Sequence, residues 1–274
     1  MLKKCGLDIA FNNLRPVSNL PYVSKLSEKA AANQLIDHMT TYDLHLPLQS
    51  AYKQNHSTES ALLKVKNDFL LNMEAQKITL LVLLDLSAPF DIVRHDTLLN
   101  RLKSSFGMDG KALEWFALYL ADHTQSVTVN DGLSSAFPLT QGVPQGSCLG
   151  PLLFTVYTIK LFDIVSKHLP SVHSYADDTQ LYLAFSPDVQ GEDEAALNAM
   201  RECIHDLRNW MIEDRLTSND DKTELILIDI RQQLQKVNLN DITVGYTVVE
   251  AKSVVRNLGS WLDRNLDMSS HISK

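Results

Sequence analysis

The sequence predicts an α+β fold, in which helices pack on a sheet, and three segments carry this prediction. Ile78–Leu84 is a continuous apolar run, which is typical of a central strand buried on both faces. Residues 172–185 predict two short strands that form a hairpin, with Asp177 and Asp178 at the turn. Residues 192–215 carry apolar side chains at helical spacing and predict an amphipathic helix.

The remaining elements follow from the spacing of apolar residues and from breaks at Gly and Pro. The predicted helices cover 28–42, a segment beginning at Ser57 or Thr58, 96–121 with a break near Gly107 and Gly110, and 149–167. The predicted strands cover 125–130, 225–230 and two or three short segments up to Trp261. Gly and Pro within 141–146 predict a loop.

Composition narrows the classes of function. The net charge of −8 argues against tight binding of nucleic acid by the whole surface, because phosphates are bound mainly by Lys and Arg. A local basic channel remains compatible with this charge. The three cysteines are far apart, so they cannot form a zinc site. The longest apolar stretch, 149–165, contains Lys160 and Asp163, and no membrane partner is expected.

Three aspartates are the candidate metal ligands. Asp85 follows the predicted central strand, and Asp177 and Asp178 lie at the predicted hairpin turn. If the two strands are neighbours, the three carboxylates converge, and their repulsion is costly unless cations lie between them. Mg²⁺ is the natural candidate because it prefers oxygen ligands. From the residues alone, a solvated strand end and an ordinary turn pair explain these aspartates better.

Seven segments, in order along the chain, resemble blocks shared by one polymerase family. They are 15–20 (RPVSNL), 49–52 with 56–59 (QSAY, HSTE), 84–91 (LDLSAPFD), 142–151 (GVPQGSCLGP), 175–182 (YADDTQLY), 219–224 (NDDKTE) and 257–259 (NLG). The chain thereby resembles the reverse transcriptases of non-LTR, LINE-type retrotransposons, most closely those of the jockey-like group. A group II intron-type reverse transcriptase also fits YADD, but it fits residues 179–182 less well.

The resemblance implies a reverse-transcriptase fold of fingers and palm, with an antiparallel palm sheet packed on helices. A fingers-like part would cover 1–76. A palm would cover 77–274 and contain the family's motifs A (84–91), B (142–151), C (175–178), D (219–224) and E (257–259). The implied reaction adds a dNTP to the 3′-hydroxyl of a DNA primer on an RNA template, with Mg²⁺, or Mn²⁺ as a substitute. The resemblance leaves the oligomeric state open.

The resemblance also implies roles for individual residues, each with an ordinary structural alternative. Asp85, Asp177 and Asp178 would hold the metal ions, and Lys222 would protonate the leaving pyrophosphate; Lys222 could equally be a plain loop lysine. The implied nucleotide-binding residues are Lys4, Arg15, Phe90, Gln145 and Gly146. Surface charge, core packing and an ordinary loop are their alternatives. Leu258 and Gly259 would shape the turn that grips the primer, or form an ordinary turn.

Departures from the family pattern predict weak activity. Pro89 stands where the family usually has Ala, and proline has no N–H to offer a triphosphate. The fingers begin part-way through a block at Met1 and no thumb follows motif E, so the chain is expected to be truncated. We therefore expect little polymerase activity from the isolated chain. The alternative is a catalytically inactive palm module that binds nucleic acid or protein.

Overall fold

The computed structural model describes residues 17–46, 48–86, 90–129, 132–245 and 247–273. Its contacts divide the chain into two compact units. The helical unit comprises Met1–His45 and Ala88–Thr158, and the sheet unit comprises Leu46–Ser87 and Ile159–Lys274. The predicted division into fingers (1–76) and palm (77–274) is defined by function and not by contacts, and it stays a prediction.

The described residues form both helices and strands, often several of one kind in succession. The helices are α1 (Tyr22–Thr41), α2 (Thr58–Glu74), α3 (His95–Ser104), α4 (Gly110–Leu120), α5 (Gly150–Tyr157), α6 (Lys160–Val165), α7 (Glu192–Glu213), α8 (Arg231–Leu234) and α9 (Ser269–Ile272). The strands are β1 (Ile78–Leu84), β2 (Thr124–Gln125), β3 (Thr128–Val129), β4 (Gly132–Leu133), β5 (Phe137–Pro138), β6 (Ser171–Tyr175), β7 (Asp178–Phe185), β8 (Glu224–Ile228), β9 (Asp241–Val244), β10 (Thr247–Glu250), β11 (Val254–Asn257) and β12 (Ser260–Asp263). A 3-10 turn covers Asp220–Lys222.

A four-stranded antiparallel sheet is the centre of the sheet unit. Its strand order is β6-β7-β1-β8, so the predicted central strand β1 has a partner on each side. Every residue of β1 is buried except Leu83, which is partly buried. Apolar side chains occur on both faces of β1 because both faces are buried. The antiparallel sheet with its helices confirms the predicted α+β class.

Helix α2 packs on this sheet through Phe69. The Phe69 ring meets the Tyr182 ring edge-on, with 5.3 Å between their centroids. These two residues belong to one buried cluster with residues of α2, β1, β8, β11 and β12. The Ser57 hydroxyl accepts a hydrogen bond from the Ser60 N–H at 3.2 Å, so Ser57 rather than Thr58 is the N-cap of α2.

The helical unit is built around α3, which contacts α4 and α5. The predicted break near Gly107 and Gly110 is confirmed, and both glycines have positive φ, 64° and 56°. Such φ values are strained for residues with a Cβ, which explains why glycine stands at the break. Helix α1 begins at Tyr22, six positions before the predicted start at residue 28 (28 − 22 = 6).

The prediction of one helix over 149–167 was wrong, because the structure forms α5 and α6 with a break at Thr158. The Thr158 hydroxyl donates to the carbonyls of Phe154 and Thr155, both at 3.2 Å. Such back-bonding by threonine competes with the helical pattern of the main chain. The break also lies where the helical unit ends and the sheet unit begins.

The prediction of one strand over 125–130 was also wrong. The structure has two short strands there, β2 and β3, and Asn130 lies outside the described residues. Between them the Val127 N–H donates to the Ser134 hydroxyl at 2.9 Å instead of to a backbone carbonyl. The Ser134 side chain thus replaces a main-chain carbonyl as the acceptor for Val127, and this interrupts the strand.

Helix α7 confirms the predicted amphipathic helix, and it packs on β7. Its buried face consists of Ala196, Met200, Cys203, Ile204, Leu207, Trp210 and Met211. In the part of the chain that the structure describes, no helix has the length and apolar character needed to cross a membrane.

Candidate active site

Asp85 and Asp178 lie at the same edge of the central sheet. Strands β1 and β7 are paired, and Leu84 is opposite Thr179 at the end of their ladder. Continuing this antiparallel register by one residue places Asp85 opposite Asp178. Opposite residues in antiparallel strands have Cα atoms about 4.5–5.5 Å apart and side chains on the same face. The two carboxylates are therefore neighbours, although 93 positions separate them in the sequence (178 − 85 = 93).

Asp177 lies beside this pair in the turn between β6 and β7. Tyr175 is opposite Asp178, so only Ala176 and Asp177 connect the two strands. Ala176 has a φ of 58°, which lies in the left-handed region. An alanine in this region is strained by about 1–2 kcal/mol, and such strain is often found at functional sites.

The opposite side of Asp85 is held by the segment around Asn219. The Asn219 N–H donates to the Asp85 carbonyl at 2.9 Å, and the Asn219 side-chain amide donates to Asp85 Oδ2 at 3.2 Å. Lys222 Nζ donates to the same carboxylate oxygen at 2.8 Å. The Asp85 side chain is 25% exposed and the Lys222 side chain 65% exposed, so this ion pair is open to solvent. Asp85 thus has acidic residues on one side and the positively charged Lys222 side chain on the other.

The electrostatics at Asp178 fit a site for a divalent cation. Loss of surrounding water, followed by the negative charges of Asp177 and Asp85, raises the pKa of Asp178 to about 6, while Lys222 opposes this rise. A cation among these carboxylates would relieve the repulsion, and carboxylate oxygens are the ligands that Mg²⁺ prefers. Within the described residues, no three Asp, Glu, His or Cys side chains are already arranged as a metal site.

The loop that contains Gln145 and Gly146 belongs to the helical unit. The Gln145 carbonyl accepts a hydrogen bond from the Ser18 N–H at 2.8 Å. Gly146 has a φ of 101°, and a Cβ there would lie 3.4 Å from the Ser18 carbonyl oxygen. The backbone conformation therefore favours glycine at this position, whereas a Cβ would meet Ser18 only at ordinary van der Waals distance.

Phe90 is joined to the start of the same loop. Its carbonyl accepts a hydrogen bond from the Val143 N–H at 2.7 Å, and Gly142 lies against the Phe90–Asp91 backbone. The partly buried Phe90 ring also contacts the buried Phe154 ring, with 5.3 Å between centroids. A hydrogen bond between main-chain groups therefore connects Phe90 to the loop that contains Gln145 and Gly146.

A buried carboxylate, Glu28 of α1, anchors this loop. Glu28 is 2% exposed. Its Oε2 accepts from the Cys148 N–H at 2.8 Å, and its Oε1 accepts from the Tyr119 hydroxyl at 3.0 Å. Burial, followed by the neighbouring charge of Glu28, raises the pKa of Tyr119 well above its usual value, so Tyr119 stays a donor.

Leu258 and Gly259 form the tight turn between β11 and β12. Asn257 is opposite Ser260, and both turn residues have positive φ, 46° and 86°. Two positive φ values are the requirement of the type I′ turn, one of the two-residue turns that match the twist of the strands. This turn belongs to the sheet unit, as do the three aspartates and Lys222. Lys4, Arg15 and Pro89 lie outside the described residues.

Three polar residues near these sites received no individual role from the sequence. They are Glu28, Gln49 and Asn219, and each contacts a candidate site residue or its loop. Asn219 and Gln49 lie within blocks that carry the family resemblance, which was the available signal. Glu28 could be recognised only from its burial and from partners about 90 and 120 positions away, which no local pattern reports.

The family model described as "Reverse transcriptase (RNA-dependent DNA polymerase)" matches residues 2–262. The chain therefore belongs to the reverse transcriptase family, whose members are nucleotidyltransferases that use divalent metal ions.

Curated relatives confirm the predicted similarity to LINE-type elements. The chain is 28% identical to "Probable RNA-directed DNA polymerase from transposon BS" of Drosophila melanogaster, with 94% of this chain and 28% of that protein covered. It is 27% identical to "RNA-directed DNA polymerase from mobile element jockey" of the same organism, with 96% and 28% covered. The chain thus spans 28% of the length of these relatives.

Solved structures confirm the predicted reverse-transcriptase fold. Apo telomerase of Candida tropicalis truncated from its C-terminal domain superposes with a TM-score of 0.57 at 15% identity, covering 89% of this chain and 45% of that one. Apo telomerase of Candida tropicalis gives 0.55 at 14% identity, covering 83% and 41%. At these identities the likeness concerns the fold alone.

Proposed function

We propose that the chain is the fingers and palm part of an RNA-directed DNA polymerase of a LINE-type retrotransposon, with fingers at 1–76 and palm at 77–274. The observation that carries the proposal is the register of β1 and β7, which sets Asp85 opposite Asp178 at one sheet edge. Family membership and the jockey-like relatives support the same reaction class.

The proposed reaction assigns a task to each side chain at the sheet edge. Asp85, Asp177 and Asp178 would hold divalent cations, Mg²⁺ or Mn²⁺, which supply activation of the primer 3′-hydroxyl and stabilisation of the leaving pyrophosphate. Lys222 would release Asp85 and donate a proton to that pyrophosphate, and a positioned acid contributes about 10²–10⁴-fold. Its 2.8 Å contact with Asp85 supports a place beside the reacting groups.

The nucleic acid and the dNTP would be bound by the other candidate residues. Phe90, Gln145 and Gly146 would lie against the incoming nucleotide, and Lys4 and Arg15 would contact its triphosphate. Leu258 and Gly259 would hold the end of the DNA primer, which is paired with the RNA template. The tight β11–β12 turn supports this last role because it presents its backbone in one fixed conformation.

A second candidate function is an inactive palm module that binds nucleic acid or protein. It is favoured by the contacts of Asp85 Oδ2, which already binds both Lys222 and Asn219. Pro89, which cannot donate a backbone hydrogen bond to a phosphate, favours it as well.

Primer extension on an RNA template separates the two functions. The chain is incubated with an RNA template, a DNA primer, dNTPs and Mg²⁺ or Mn²⁺, and the Asp85→Asn variant serves as the control. The polymerase function predicts extension, even if weak, that disappears in Asp85→Asn. Extension that is equal in both proteins contradicts it, and binding of the primed template with no extension supports the inactive module.

A further inference from the structure

Gln49 lies beside the hairpin that carries Asp177. Residues 48–50 run parallel to the end of β6, with Gln49 bridged to Ser174. The Ser50 N–H donates to the Ser174 carbonyl at 3.0 Å, and the Ser174 N–H donates to the Leu48 carbonyl at 2.8 Å. These main-chain bonds fix the position from which the Gln49 side chain reaches the β6–β7 turn.

The Gln49 amide binds both backbone groups of Ala176. Its Oε1 accepts from the Ala176 N–H at 3.0 Å, and its Nε2 donates to the Ala176 carbonyl at 3.4 Å. The same Oε1 accepts from the Ala51 N–H at 3.0 Å, which holds the amide in its own segment. Gln49 is 5% exposed, so water does not compete well for these bonds.

Ala176 needs such support because its backbone is strained. Its φ of 58° is unfavourable for a residue with a Cβ. A strained conformation persists only where its surroundings over-determine it. Gln49 supplies a donor and an acceptor at this one residue, and Asp177 follows directly in the chain.

We propose that Gln49 is a positioning residue for the catalytic site, which fixes the Ala176–Asp177 turn and thereby sets the Asp177 and Asp178 carboxylates for cation binding. This inference rests on the proposed polymerase function and adds a residue to its machinery. Only an amide serves both groups of Ala176: a carboxylate keeps the acceptor and loses the donor, and an apolar side chain loses both.

The test compares Gln49→Met, which keeps the length of the side chain, with Gln49→Glu, which keeps the acceptor. Gln233→Met is the matched control, because Gln233 is also a buried amide of the sheet unit and donates to Gln76 at 2.6 Å. Amide hydrogen exchange at Ala176 is measured by NMR, with the β1–β7 amides as a check of folding. Mn²⁺ affinity is measured by electron paramagnetic resonance.

In Gln49→Met we expect exchange at Ala176 to rise about tenfold or more and Mn²⁺ affinity to fall by a similar factor, because a buried hydrogen bond is lost. Gln49→Glu should restore the protection of the Ala176 amide, and Gln233→Met should change neither quantity. If Gln49→Met does not fold, the protection of Ala176 in Gln49→Glu decides, and its loss overturns the proposal.

The outcomes for Gln49 and for the polymerase function are distinct. If wild-type protein shows no Asp85-dependent Mn²⁺ binding, the proposed function fails and the positioning role fails with it. If wild-type protein binds Mn²⁺ and Gln49→Met binds it equally well, or protects Ala176 equally well, the positioning role alone is overturned.

Discussion

The Lys222 ammonium group lies 2.8 Å from the carboxylate of Asp85, a residue 137 positions earlier in the chain. The contact arises because the segment before β8 runs beside the end of β1, where Leu86 and Ser218 form an antiparallel bridge. Lys222 therefore contacts one of the two carboxylate oxygens that a cation at Asp85 could bind. Two positive charges compete for the same carboxylate.

This competition predicts that Lys222→Gln binds Mn²⁺ more tightly than wild-type protein. An exposed ion pair contributes about 0.2–1 kcal/mol, so its loss should tighten binding by up to about fivefold. Lys252→Gln is the matched control, because Lys252 forms a 2.8 Å pair with Glu224 in the same unit. Equal Mn²⁺ affinity in wild-type and Lys222→Gln protein would contradict the competition between Lys222 and the cation for Asp85.

Glu28→Ala should destabilise the helical unit. The substitution removes the acceptor of two part-buried hydrogen bonds, from the Cys148 N–H and the Tyr119 hydroxyl, and a hydrogen bond to a charged group contributes up to about 1.5–3 kcal/mol. We expect a loss of about 2–4 kcal/mol in the free energy of unfolding, measured with urea. Asp37→Ala removes an exposed carboxylate from the same helix and should change stability little. A loss of similar size in both variants would contradict the anchoring role of Glu28.

Gly142→Ala should cost more stability than Gly107→Ala. Both glycines have positive φ, 88° and 64°, so alanine is strained at either position. A Cβ at Gly142 would lie 2.8 Å from the Asp91 carbonyl oxygen, whereas a Cβ at Gly107 meets no described atom within 4 Å. Strain alone predicts about 1 kcal/mol at Gly107, and the clash adds to this at Gly142. Equal urea midpoints for the two variants would rule out the close backbone approach.

His173 should make the sheet unit sensitive to acid. Burial, with the charge of Lys64 as the next cause, lowers the pKa of His173 to about 4. The unfolded chain takes up a proton below about pH 6.5 that folded His173 does not, so stability falls as pH falls from about 6.5 towards 4. Between about pH 7 and pH 5 this residue should account for about 2 kcal/mol of the loss.

The measurement is urea unfolding at the two pH values for wild-type protein and His173→Gln. The variant should lose less stability on acidification, because glutamine takes up no proton. Exposed His205 provides the control, and His205→Gln should follow the wild-type dependence. An unchanged pH dependence in His173→Gln would contradict the assignment of this loss to His173.

The central strand β1, the β6–β7 hairpin and helices α2 and α7 were predictable because local patterns determine them. The bounds of β1 follow from an apolar run that is buried on both faces, and Ser57 before α2 is a capping residue by its chemistry. The prediction that Asp85 and Asp178 lie at one edge of the sheet required one further condition, that β1 and the hairpin strand are neighbours. That condition holds in the sheet order.

The remaining features depend on partners that no local pattern reveals. The break at Thr158 results from hydroxyl bonds that compete with the helix, although the apolar pattern continues through it. Gln49 binds Ala176, which lies 127 positions later in the chain, and the sequence around Gln49 does not indicate this contact. The ion pair of Asp85 with Lys222 likewise requires the position of β8 in the sheet.

The proposed function depends on the binding of one divalent cation by Asp85 and Asp178 together at one edge of the sheet. Its most direct test is a Mn²⁺ titration of wild-type protein, Asp85→Asn and Asp178→Asn by electron paramagnetic resonance, with Asp241→Asn of the exposed β9 position as control. We expect wild-type and Asp241→Asn proteins to bind Mn²⁺ alike, and each of the other two variants to lose at least about tenfold in affinity. Wild-type affinity in Asp85→Asn would contradict it.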